Sequence, residues 1–333
     1  GITITAASTT VQWQNCRIHI IDTPGHVDFN VEVERSLRVC DGAVVVFCGV
    51  AGVEPQSETV WRQADKYHLP KVVLINKMDR PGADYSRVLT EIADRFGVVP
   101  VPVTVPDPAQ AHAVLDVWAG TRLLFDVKSL GQEIAVFPAD SAELSAWRRL
   151  AVERLAEVDD TILESYLADE PVEADAARAA LARATRACRA VPVFAGSALK
   201  NYGVQPLLDG VCRYLPGPME SAGHAHVCQL LEEAGISPEV TVTYAFKVQF
   251  DGAHKRVFLR VYSGALGENT PLFNTRTGRL EKAHKVYTAH AHHLEPTSQA
   301  QAGDIVLATG LRDAVTGDTL LGERGDLRLE NIE

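Results

Sequence analysis

Apolar and polar positions follow two different rhythms along the chain, and the change of rhythm divides it. In the first half, short apolar runs at residues 17–21, 43–48, 72–75 and 191–195 predict strands. Stretches with a helical repeat follow them. Phe29, Val33 and Leu37 share one stripe of a helix over 29–39, and Val60, Ala64 and Tyr67 share one over 57–68. Val88, Leu89, Ile92 and Phe96 face inward from a helix over 84–96, and a helix over 204–215 closes at Pro216-Gly217-Pro218. Strands that are apolar along their whole length and alternate with helices predict an α/β fold, a doubly wound, mostly parallel sheet covered on both faces.

Between the third and fourth strands lie roughly ninety residues, too many for a plain loop inside a compact domain. An inserted α/β subdomain is therefore expected over residues 98–190. It opens with a Pro/Val-rich extended run, then carries Ala-rich helices, one with a capping box from Asp140 to Glu143. Residues 1–97 and 191–219 form the sheet domain on either side of it. From residue 220 to 333 the rhythm is that of strands, at 241–250, 257–263 and 285–290, with turns at Ser263-Gly264, Thr277-Gly278 and Thr316-Gly317. That predicts an all-β barrel, with residues 224–238 as a linker ahead of it.

Composition adds limits. Of 333 residues 46% are hydrophobic and 23% charged, as in ordinary soluble chains, and the net charge of −11 argues against coating nucleic acid through a general positive field. Docking on folded RNA through local basic patches stays open. The six cysteines show no metal-ligand spacing and read as small buried hydrophobes in a reducing compartment. No apolar run is long enough to span a membrane.

Three motifs stand directly after predicted strands, where open parallel sheets bind ligands. Asp22-Thr23-Pro24-Gly25-His26 offers a carboxylate for Mg²⁺, a glycine whose N–H can approach a γ-phosphate, and a histidine placed to orient water. In Asn76-Lys77-Met78-Asp79, a buried Asp79 carboxylate accepts two hydrogen bonds from guanine, which adenine cannot give. Lys77 would lie along the base and Asn76 would tie neighbouring loops together. Gly196-Ser197-Ala198-Leu199-Lys200 is small enough for a backbone N–H to reach guanine O6. Thr3, in Gly1-Ile2-Thr3-Ile4, could ligate Mg²⁺ from a mobile segment. Each motif alone also reads as an ordinary turn or edge strand; their order and placement together point to GTP.

Those motifs, with Glu32-Val33-Glu34-Arg35 and Gly52-Val53-Glu54-Pro55-Gln56, resemble the elongation factor G family of translational GTPases. Arg260-Val261-Tyr262-Ser263-Gly264 and Thr316-Gly317-Asp318-Thr319-Leu320 resemble its second domain. The resemblance implies a P-loop-type GTPase sheet with an inserted subdomain and a following β barrel, using GTP/GDP and Mg²⁺. It implies His26 as the residue that places the hydrolytic water. Asp22, Thr23, Pro24, Gly25, Asn76, Lys77, Met78, Asp79, Ser197, Ala198 and Leu199 would bind the nucleotide, with Thr3 and Asp22 at the metal. It also implies a monomeric, cytoplasmic (or mitochondrial-matrix) factor that moves tRNA and mRNA through the ribosome. Such a factor meets the large-subunit RNA loop and stalk proteins, and the small subunit through the barrel. A recycling or ribosome-protection factor of the same family is the alternative job, and a non-hydrolysing ribosome-binding module the alternative class. The family's phosphate loop, G-x-x-x-x-G-K-[ST], is not among these residues and is expected upstream of Gly1 together with the first strand. Without it the isolated chain is expected to bind GTP weakly and to be inactive.

His290, His292 and His293 are closely spaced, but a polar barrel face accounts for them better than a metal site does. Arg35 and Arg38 suit RNA phosphates or pairing with Glu32 and Glu34 equally.

Overall fold

In the computed structural model, residues 7–23, 30–126, 128–129, 131–252, 254–290 and 293–329 are described. By packing the chain divides into two units, one of Gly42–Pro216 and one combining Gly1–Asp41 with Gly217–Glu333.

The combined unit begins with an antiparallel hairpin, β1 (Ala7–Trp13) and β2 (Cys16–Asp22). Trp13 pairs with Cys16, so Gln14 and Asn15 alone make the turn, with Gln14 at φ 50. The apolar pattern did not predict β1, because its run of Ser8, Thr9 and Thr10 carries no apolar alternation. Helix α1 (Asn30–Leu37) follows, with Val33 and Leu37 buried as their spacing predicts.

The Gly42–Pro216 unit holds β3 (Ala43–Cys48), α2 (Pro55–Lys66), β4 (Lys71–Asn76), α3 (Tyr85–Phe96) and β5 (Val99–Pro102). Next come β6 (Thr104–Pro106), β7 (Ala113–Asp116), β8 (Thr121–Phe125) and β9 (Ile134–Pro138). Helices α4 (Ala142–Ala156), α5 (Asp160–Leu167) and α6 (Ala174–Arg186) precede β10 (Ala190–Ala195) and α7 (Val204–Tyr214). Strands β3, β4, β10 and β5 pair in that order, all parallel. The central β4 and β10 are buried on both faces, which is why they read as unbroken apolar runs. Full coverage does not extend to β3, an edge strand that leaves Val44 43% and Val46 51% exposed.

The insertion is an α/β subdomain. Strands β6 to β9 form an antiparallel sheet in sequence order, and the chain enters it where the buried Thr104 Oγ1 accepts a hydrogen bond from Ala195 N at 3.0 Å. The expected cap at Asp140 lies one residue off. Ser141 Oγ accepts from Leu144 N at 3.1 Å and begins α4.

After Pro216 the expected linker is a helix, α8 (Ala222–Ala234). Ser221 caps it by accepting from His224 N at 3.3 Å, Val227 and Leu231 are buried four residues apart, and Gly235 ends it at φ 66. The β part comprises β11 (Val242–Asp251), β12 (His254–Ser263), β13 (Ala265–Gly267), β14 (Thr270–Asn274) and β15 (Arg279–Ala283). It continues with β16 (Lys285–His290), β17 (His293–Pro296), β18 (Gln299–Gln301), β19 (Ile305–Thr309) and β20 (Thr319–Leu321). Eight of these make one curled antiparallel sheet in the order β15-β14-β20-β11-β12-β19-β16-β17, and β13 pairs with β18. Period-two alternation shows in β12, where Val257, Leu259 and Val261 enter one apolar cluster and Phe258 and Tyr262 another.

The turn Thr316-Gly317-Asp318 is held by a buried polar network. Asp318 is 3% exposed and accepts from Arg276 Nε at 2.6 Å, Asn274 Nδ2 at 2.8 Å and Val315 N at 2.9 Å. Burial pushes its carboxyl pKa up, but those donors outweigh burial and hold it below the usual carboxylate value. A depressed folded-state pKa contributes stability above the unfolded-state value that is lost as pH falls through the folded one. Acid titration below about pH 4 should therefore destabilise the wild type more than Asp318→Asn. Asp318→Ala should cost roughly 2–4 kcal/mol in urea unfolding at neutral pH, below a fully buried pair because Arg276 is half exposed.

Candidate functional site

Strand β4 delivers Asn76 at its carboxyl end, and the chain there turns sharply because Lys77 adopts φ 64. That left-handed conformation costs a lysine roughly 1–2 kcal/mol, so the surrounding loops must hold it. They do so through Asn76. Its Oδ1 accepts from Lys77 N at 2.8 Å and from Ala198 N at 2.9 Å, while its carbonyl accepts from Gly49 N at 2.8 Å. Met78 N donates to Gly196 O, and Gly196 N to Ile75 O, both at 3.1 Å. Three loops, after β3, β4 and β10, are thus joined at one residue.

The loop after β10 closes on itself. Ser197 N donates to Tyr202 O at 2.9 Å and Tyr202 N returns to Ser197 O at 3.2 Å. Gly196 and Gly203 are required where the two sides cross: a Cβ on Gly196 would meet Tyr202 O at 2.5 Å, and one on Gly203, at φ 78, would strike Ala195 O. Gly203→Ala should therefore cost about 2 kcal/mol or more in chemical denaturation. Ser197 is 1% exposed, and its Oγ is buried with no hydrogen-bond partner among the described residues.

Asp79, Lys77, Ala198 and Leu199 are exposed and Met78 is half-buried. Asp79 was expected to be buried; its carboxylate is instead open to an incoming group. Its charge reaches Tyr202, whose phenol is pushed up to about 12, chiefly by burial and further by Asp79. Behind Tyr202 the inserted subdomain braces the loop. His112 meets its ring edge-on with centroids 5.5 Å apart, and Gln205 Nε2 donates to Gly131 O at 2.5 Å.

On the loop after β3, Arg87 NH2 donates to Val50 O at 2.8 Å, and Glu91 Oε2 accepts from Val53 N at 2.8 Å. Cys48 begins this loop. Burial opposes ionisation of its thiol, but the Ala51 and Val50 N–H groups and Lys77 outweigh it and lower the pKa. The cysteines are half-buried rather than fully buried, so they are not simple core residues.

In the other unit, Asp22 ends β2 opposite Ala7, with its side chain exposed, and Thr23 is half-buried. Pro24, Gly25, His26 and Thr3 lie outside the described residues. Among the described residues no group of three or more His, Cys, Asp or Glu is arranged to hold a metal, and no helix is long and apolar enough to cross a membrane. Apolar patterning carried no sign of Tyr202, Gln205 and Arg87, because their roles depend on long-range contacts.

The family model described as "Elongation factor Tu GTP binding domain" matches residues 1–217, and "Elongation factor G domain 2" matches residues 241–323. A protein named elongation factor G 2 from Syntrophus aciditrophicus is 46% identical over all of this chain and half of its own length. One of the same name from Geobacter metallireducens is 44% identical over 96% of the chain and 48% of its own length. The chain thus spans about half the length of the curated relatives it matches. A crystal structure from Thermus thermophilus superposes with a TM-score of 0.80 at 25% identity, covering 100% of this chain and 47% of that one. The chain belongs to the elongation factor Tu GTP-binding-domain family and carries, after that domain, a match to elongation factor G domain 2.

Proposed function

We propose that the chain supplies the guanine-reading loops, the phosphate-sensing segment and the barrel of a GTP-hydrolysing translation elongation factor, one that drives translocation of tRNA and mRNA on the ribosome. The observation that carries this reading is Asn76 Oδ1, which joins the Lys77 and Ala198 amides and so holds the N-K-M-D and G-S-A loops beside each other. With those loops fixed, Asp79 would accept from guanine N1–H and the 2-amino group, Lys77 would cover the base, and the Ser197–Leu199 amides would face O6. Hydrolysis in this class rests on positioning and charge stabilisation, and His26 would place the attacking water.

Mg²⁺ fits the donor present. Asp22 offers an exposed carboxylate at the end of β2, a hard oxygen ligand of the kind Mg²⁺ takes, and Thr3 would add its hydroxyl. The ion would neutralise charge on the β- and γ-phosphates when bound. The likeness to elongation factor G relatives supports a ribosomal partner and a cytoplasmic setting; the barrel would face the small subunit and the insertion the stalk.

Ribosome-dependent hydrolysis tests the reading. A protein carrying this chain at the full length of its relatives should hydrolyse GTP, not ATP, with ribosomes raising turnover at least ~10²-fold. Ribosome binding without hydrolysis would instead mark a non-hydrolysing module, and hydrolysis without tRNA movement a recycling or protection factor.

A further inference from the structure

The β domain holds the chain on either side of the phosphate-sensing segment. That segment runs from Asp22, where β2 ends, to Asn30, where α1 begins. Beyond α1, Asp41 receives a guanidinium from β12: Arg260 NH2 lies 2.8 Å from Oδ1 and 3.0 Å from Oδ2. Arg260 is 3% exposed, a depth at which a cation is kept only by a specific partner. Its Nε is buried without a hydrogen-bond acceptor among the described residues, so Asp41 carries its charge compensation. The guanidinium also lies over the Tyr262 ring at 5.7 Å, and the Tyr262 hydroxyl donates to Arg38 O, just after α1, at 3.4 Å. Val39, 2% exposed, fills the same apolar cluster as Tyr244, Phe258 and Tyr262.

At the near end, Ile21 packs on that cluster too. Asp304, just before β19, takes Arg17 NH2 at 3.2 Å and sits 3.5 Å from His19 Nε2, while His19 Nδ1 lies 3.0 Å from the buried Thr10 Oγ1. Two ion pairs to the barrel, and the apolar Ile21 and Val39 packed with its Tyr244, Phe258 and Tyr262, therefore flank residues 22–29.

We propose that Arg260 is a positioning residue for GTP hydrolysis: through Asp41 and Tyr262 it fixes residues 38–41, which follow the sensor segment and α1, to the barrel. The proposal rests on the GTPase reading above, but its structural half does not. A load on the barrel, such as docking on a partner, would reach the sensor through this pin. Leu259 and Val261, on either side of Arg260, enter the other apolar cluster, so the strand that carries the pin does not depend on it.

The test uses Arg260→Met, Asp41→Asn and the conservative Arg260→Lys, each made in this chain and in the protein at its relatives' full length. In the chain, amide hydrogen exchange over residues 33–41 should rise about tenfold or more in the first two variants. Exchange over residues 257–259 and 72–75 should hold, and Arg260→Lys should restore most of the protection. In the full-length protein, kcat for ribosome-stimulated hydrolysis should fall about tenfold with KM for GTP within about twofold of wild type. Unchanged exchange over 33–41, or an equal rise across the barrel strands in both Met and Asn variants, would overturn the pin. An unchanged kcat beside raised local exchange would overturn its role in hydrolysis. If the wild type itself fails to hydrolyse GTP, the GTPase reading fails, and the exchange result still decides the pin.

Discussion

Replacing Asp79 by Asn at full length is expected to lower affinity for GTP and GDP by about 10²–10⁴-fold and to create a preference for xanthine nucleotides. A carboxylate accepts from both guanine N1–H and the 2-amino group. The amide keeps one acceptor and presents an N–H₂ where guanine also presents a donor, which leaves two donors facing each other and unpaired. Xanthine carries a carbonyl at that position and restores the pairing. The geometry keeps the substitution clean. Asp79 is exposed and follows the strained Lys77, which Asn76 and not Asp79 holds in place, so stability should change by no more than about 0.5 kcal/mol. Competition binding with GDP, XDP and ADP separates the outcomes. An unchanged preference would remove Asp79 from the base pocket, and a uniform loss for every base would make it a structural residue.

The sheet of the Gly42–Pro216 unit was legible because its central strands are buried on both faces. Val72, Val73 and Ile75 have no solvent side, so no polar residue interrupts the run. The turn after β4 was legible for a related reason: the apolar run stops at Asn76, and the exposed Lys77 and Asp79 follow it. Elsewhere the pattern failed where stability comes from partners distant in sequence. Helix α8 reads as a linker because histidines and glycine interrupt its apolar stripe, yet Val227 and Leu231 are covered by the barrel's outer cluster. Strand β1 is polar along half its length, and its buried Thr10 has its hydroxyl 3.0 Å from His19 Nδ1. Arg260 is the clearest case. It stands in an apolar strand, and Asp41, far away in sequence, accounts for its lying inside.

Substitution of His26 by Ala separates catalysis from binding, and it is expected to lower ribosome-stimulated turnover by about 10²–10⁴-fold while GTP and GDP affinities stay within about twofold. The reasoning starts from position. His26 lies four residues beyond Asp22, between the stretches of chain that the barrel holds, and it belongs to neither of the loops after β4 and β10. A side chain that orients water contributes only where the nucleophile attacks, so its loss appears in kcat and leaves ground-state binding intact. In the proposed reading, phosphate grip and base reading would rest on other groups, so affinity should survive. His26→Gln sharpens the comparison: an amide can still hydrogen-bond a water but cannot take its proton. Partial rescue by Gln would assign His26 to positioning of the water, in keeping with a reaction whose catalysis is mostly positioning and charge stabilisation. Turnover as low as in the Ala variant would assign it to proton transfer. Full activity in His26→Ala would exclude the residue from the reaction and return the role to another group on the sensor segment.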